Sequence, residues 1–241
     1  MKNLTKNDLL IPAFAALAVL AGFLRQGLYT TALDAKGLLV RNHPLSFALL
    51  AVVLAGCALA VLAAGKDISP RVTSGIAGHS FMAVAVLMMA LYCTLPLPGA
   101  VGLVWKILGL FAAPALVWAG ICRRNGSIPF FGIYAALCLF LLVYLVSRYQ
   151  FWSSNPQLQD YVYELLALVS LVLLCYQKAA ASAGTGKDRL HLVLSLLTVL
   201  LCGAAFYRSQ FPTLLAAGLV WAATDPSLPG QPAKEDSHDP A

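Results

Sequence analysis

Long apolar blocks separated by short polar connections dominate the chain, and each block runs about 20 residues, the length an α-helix needs to cross roughly 30 Å of hydrocarbon. Eight segments follow from that pattern: Leu9–Leu28, Pro44–Ala64, Ser74–Leu95, Ala100–Cys122, Pro129–Arg148, Pro156–Gln177, Arg189–Tyr207 and Phe211–Thr224. The fold class this predicts is all-α, a polytopic membrane helix bundle of about eight transmembrane helices over residues 1–224. Several starts carry helix-entry residues: Asn42-His43-Pro44, Ser127-Ile128-Pro129 and Asn155-Pro156. Proline suits the first turn, where its missing N–H has no partner to lose, and Asn or Ser can cap the free donors. Pro114 falls mid-segment and predicts a kink in the fourth helix. The last segment is the shortest, covering only about 21 Å as a helix, so it spans with help from its flanks or is re-entrant. Beyond it, residues 225–241 mix prolines with charges, a composition that predicts a disordered tail.

Tight connections such as Leu95-Pro-Leu-Pro-Gly99 predict that helices adjacent in sequence pack together, and Gly56, Ala60 and Ala64 form a small-residue ladder for close helix approach. Composition agrees with a single membrane domain: 60% of residues are hydrophobic and 11% charged, against about 25% charged in soluble domains. That leaves no room for a soluble catalytic domain. The N-terminal Lys-flanked apolar run resembles a signal peptide, but with no small-x-small cleavage site before Arg25 it reads as a retained first helix.

The net charge of +6 lies mostly in the connections, which points to topology signals and lipid headgroups rather than nucleic acid. With an inside N-terminus, ten basic residues fall on the inner side: Lys2, Lys6, Lys66, Arg71, Arg123, Arg124, Lys178, Lys187, Arg189 and Lys234. Five fall outside: Arg25, Lys36, Arg41, Arg148 and Arg208. The asymmetry predicts cytoplasmic termini.

Chemistry-bearing motifs are sparse. The six cysteines are spread one per segment with no CxxC pair, and read as small buried hydrophobes. His79 and His191 sit near inner helix ends without second-shell motifs, so neither metal nor haem is implied and no cofactor is expected. No HExxH, P-loop or GxSxG occurs, so an enzyme is the less favoured class.

Ionisable residues inside apolar segments carry the interest. Glu164 is eight residues past Pro156, and Lys106 six past Ala100, which puts them about 12 and 9 Å below the outer boundary. A charge there costs at least about 2.5–3.5 kcal/mol, so a Glu164–Lys106 ion pair is expected, with Asp160 one turn above Glu164. Three odd-numbered helices end alike at the outer side, in Arg25-Gln26, Arg148-Tyr-Gln150 and Arg208-Ser-Gln210. Three guanidiniums at one level can clamp an anion by bidentate hydrogen bonds, whereas separate snorkelling to headgroups is the structural alternative.

The stretch Trp152-Ser-Ser-Asn-Pro-Gln-Leu-Gln-Asp-Tyr-Val-Tyr-Glu-Leu-Leu166, with Leu33-Asp-Ala-Lys-Gly-Leu-Leu39 and Asn42-His-Pro44, resembles segments of uncharacterised multi-pass membrane proteins of Gram-positive bacteria. The resemblance implies a bacterial plasma membrane and carries no activity with it. The expected function is therefore transporter-like or permease-like, with an outward polar cavity for a small anionic or zwitterionic solute and the lipid bilayer as surroundings. The alternatives are a membrane-embedded enzyme on a lipid-linked substrate, or a non-catalytic assembly or sensor subunit.

Overall fold

A computed structural model describes residues 10–34, 39–40, 42–64, 99–125, 127–152, 158–207, 209 and 212–224. The expected third segment and the tail at 225–241 lie outside the described residues. Seven helices run through the rest: α1 (Leu10–Thr31), α2 (Pro44–Ala64), α3 (Gly99–Arg124), α4 (Phe131–Trp152), α5 (Leu158–Ser182), α6 (Asp188–Phe206) and α7 (Pro212–Thr224). Six are long and apolar enough to cross a membrane, and α7 is the shorter apolar helix. Among the described residues there is no strand, only an isolated bridge between Leu33 and Leu39.

Helix ends follow local chemistry. At the start of α2, Asn42 takes a left-handed turn with φ of 66°, a conformation Asn tolerates better than most residues. His43 Nδ1 then accepts the Leu45 N–H at 3.3 Å, so the imidazole caps the helix in place of the expected Asn, and Pro44 fills the first turn. The helix α5 runs five residues beyond the expected Gln177. Ala179–Ala181 are strong helix formers, and the stop comes at Gly184, whose φ of 82° gives the left-handed C-terminal turn. The helix α3 continues through Pro114.

At the centre lies α6, which packs against α1, α2, α5 and α7. Its apolar window is 72% buried, against 22–50% for the other five spans, so it is the hub and they form the rim. Two small-residue contacts seat it. A Cβ on Gly203 would meet Ala18 Cβ of α1 at 2.5 Å, and a Cβ on Gly56 of α2 would run into Leu200 Cδ2. The ladder Gly56, Ala60 and Ala64 is buried as expected, and only residues this small permit helix axes to approach so closely. On the far side α5 packs on α4, and α4 on α3. There Trp105 of α3 stacks on Phe140 of α4, ring centroids 4.9 Å apart, with Tyr144 next to it at 5.5 Å.

Candidate functional site

The helices α1, α4 and α5 each bury one charged side chain toward the same end of the bundle. On α1 the buried positions are Phe14, Ala18, Ala21, Arg25, Leu28 and Tyr29, a three-and-four spacing that carries Arg25 on the face turned to α6. Arg25 is 1% exposed, Arg148 6% and Glu164 4%. None of them snorkels to a surface.

Arg25 is held from three directions. Its Nη1 donates to the Ala204 carbonyl oxygen of α6 at 3.1 Å, its guanidinium lies 5.3 Å from the Tyr163 ring centroid, and Tyr29 sits one turn further along α1 at 5.9 Å. The close Ala18–Gly203 crossing makes this possible, because it brings the α6 backbone within reach of a side chain two turns along α1. Aromatic faces are negative, so both rings favour the cation in a water-poor setting.

Glu164 interacts electrostatically with Arg148 and Arg25 and hydrogen-bonds the hydroxyl of Ser209, which follows α6. Tyr144, one turn before Arg148 on the buried face of α4, is within electrostatic range of both Glu164 and Arg148. One carboxyl group thus lies within electrostatic range of two guanidiniums. A buried acid needs such partners, since the interior supplies no water to solvate it.

Beside Arg25 a cavity of about 160 Å³ opens between α1, α2 and α5. Arg25 and Tyr29 form its α1 side, Ser46, Leu49 and Leu50 its α2 side, and Val162 and Tyr163 its α5 side. The space is large enough for a small solute or several waters. Glu164, on the adjoining face of α5, is not among its lining residues; Arg25 belongs to both the cavity wall and the charged cluster.

The expected site residues separate accordingly. Arg25, Arg148 and Glu164 come together. Lys106 does not: it is exposed on α3, with Leu103, Val104 and Ile107 around it, also exposed. Trp105 takes the inward position at 1% exposure, and successive helical residues are about 100° apart, so its neighbour must point away. The helix α3 reaches α4 and makes no comparable contact with α5 among the described residues, which removes the expected Glu164–Lys106 pair. The Asp160 backbone lies in α5 one turn before Glu164, but its side chain, like Arg208, lies outside the described residues.

Sequence reasoning missed the tyrosines and Ser209, though Tyr163 beside Glu164 and Tyr144 four residues before Arg148 were available as signals. It also missed Lys178. Counted above as a loop charge, Lys178 is instead 0% exposed inside α5, with its Nζ 5.5 Å from the Trp221 ring centroid of α7. Cys175 lies within electrostatic range of it, one turn earlier. His191 is also fully buried, near the start of α6. No group of three or more metal-ligating residues occurs among the described residues.

Comparison with protein-family models, with curated proteins and with solved structures finds no match for this chain.

Proposed function

We propose that this integral membrane protein is a transporter-like or permease-like carrier in a bacterial plasma membrane, with the Arg25 cavity as the binding station for a small anionic or zwitterionic solute. One observation carries the reading: a fully buried arginine forms the wall of a cavity of about 160 Å³. A purely structural arginine needs its hydrogen bonds and aromatic faces, but not an adjoining space of solute size. An assembly subunit whose charges were simply paired off would have no use for that space either.

Orientation is part of the proposal. Lys178, Arg25 and Arg148 lie in helices and are buried, so they drop out of a count of loop charges. The remaining basic residues still favour the inner side under an inside N-terminus. That puts the cavity in the outer half of the membrane, toward the C-terminal end of α1 and the N-terminal ends of α2 and α5.

The test is binding and then uptake. Purified protein in detergent is screened by thermal shift against acetate, benzoate, inorganic phosphate, alanine and aspartate, and whichever stabilises it is followed into proteoliposomes as a radiolabelled solute. Stabilisation lost in Arg25→Lys, which cannot reproduce the guanidinium fork, together with accumulation inside the vesicles, is the expected result. A protein that none of these solutes stabilises is not a carrier of this class.

A further inference from the structure

The cavity is lined by four residues that carry polar groups, Arg25, Tyr29, Ser46 and Tyr163, and by four aliphatic ones. Arg25 supplies a full positive charge and Ser46 a hydroxyl, while Leu28, Leu49, Leu50 and Val162 supply aliphatic wall. The two tyrosines flank the guanidinium with ring faces at 5.9 and 5.3 Å. A volume of about 160 Å³ is close to that of an engineered apolar cavity of about 150 Å³ that accepts one benzene molecule.

We propose that the site binds a small amphipathic monocarboxylate, its carboxylate on Arg25 and a compact apolar body, up to the size of one ring, against Leu49, Leu50 and Val162. This rests on the reading of the cavity as a solute station and narrows its ligand class. Inorganic phosphate fits poorly, because a multiply charged oxyanion seeks several converging charged donors and here would find one guanidinium, with Leu28, Leu49, Leu50 and Val162 making up half of the lining. A dicarboxylate would set its second charge against the same leucines. An amino acid would bring an ammonium group toward Arg25, adding repulsion in a poorly screened space.

Calorimetric titration of the purified full-length protein with acetate, butyrate, pentanoate, hexanoate, octanoate, benzoate, inorganic phosphate and alanine decides the matter. Burying each added methylene should tighten binding about fourfold, with a plateau once the cavity is full near hexanoate. Benzoate should bind at least tenfold more tightly than acetate, phosphate or alanine. Leu50 is 46% exposed at the cavity edge, so Leu50→Trp can fill the space with little risk to folding, and it should reduce hexanoate to the affinity of acetate. Tighter binding of phosphate or alanine than of hexanoate overturns the monocarboxylate class while leaving a solute station in place. Affinity that keeps rising through octanoate means an open lipid groove and overturns it too, as does a Leu50→Trp protein that binds hexanoate like wild type. No binding by any of the eight removes both this class and the carrier reading beneath it.

Discussion

Gly203→Ala is the substitution that probes the packing beneath Arg25. The added methyl would stand 2.5 Å from Ala18 Cβ and 2.7 Å from the Ala18 carbonyl oxygen, where ordinary contacts begin at 3.4 Å. Because Ala18 meets it with backbone as well as side chain, no rotamer relieves the overlap, and α1 and α6 must separate by the difference, about 0.9 Å. The hydrogen bond from Arg25 Nη1 to Ala204 O, now 3.1 Å, would stretch toward about 4.0 Å, beyond the range of an N–H···O bond. Overpacking costs about 1–3 kcal/mol and loss of a hydrogen bond from a charged donor about 1.5–3 kcal/mol. The better helix propensity of alanine returns about 1 kcal/mol. The net loss of about 1.5–5 kcal/mol should lower the melting temperature of the purified protein by several degrees. Gly27→Ala is the matched control on α1, since its Cβ would sit 3.6 Å from Leu45 Cδ1 in ordinary contact, and it should leave melting unchanged or slightly raised. If Gly203→Ala melts together with Gly27→Ala at or above wild type, the helices are not in close contact there and the placement of Arg25 loses its explanation.

Three further outcomes are expected. Glu164→Gln and Arg148→Met should each destabilise by about 3–5 kcal/mol and the double variant by less than their sum, because each single change strands a buried charge; Lys106→Leu should stay within about 0.5 kcal/mol, and strict additivity of the first two would separate those residues. Lys178→Met and Trp221→Leu should show a coupling of about 0.5–2 kcal/mol in a double-mutant cycle, and a coupling of zero means the ammonium does not sit on that ring. In a background without native cysteines, an impermeant thiol reagent on intact cells should label Thr31→Cys and spare Thr185→Cys, both exposed positions; the opposite pattern inverts the topology.

The periodicity of apolar blocks made the helices legible, because the thickness of hydrocarbon sets one length for all of them. Depth along a helix was legible only in part: counting residues put Glu164 well inside its segment, whereas Arg25 and Arg148 read as helix-end residues, and it is the extension of α1 to Thr31 and of α4 to Trp152 that sets them inside their helices. What could not be read was direction around the axis. In water, a polar face marks the side turned away from the core, but a lipid-facing side chain is as apolar as a buried one. Nothing in the run Leu103-Val-Trp-Lys-Ile107 therefore says that Trp105 turns inward and Lys106 outward. Lys178 was misplaced for a different reason, since its position depends on where α5 stops, and that is decided six residues later by Gly184.

The contact between Arg25 and Ala204 spans 179 residues of chain, and this sets an order of assembly. At synthesis rates of about 5–20 residues per second, the arginine waits roughly 10–40 s in the nascent membrane protein before its α6 acceptor has been made. Its partners Tyr163 and Glu164 on α5 are made earlier than Ala204, so contacts with them can form before the α6 carbonyl oxygen exists. Even at a helix centre an arginine costs about 2.5–3.5 kcal/mol to insert, and Arg25, nearer the end of the otherwise apolar α1, costs less, so α1 can bear it alone for that interval. A ribosome that stalls within α5 or early α6 therefore leaves a bundle without its hub and with its arginine incompletely satisfied, a feature by which membrane proteolysis can tell an unfinished chain from a finished one.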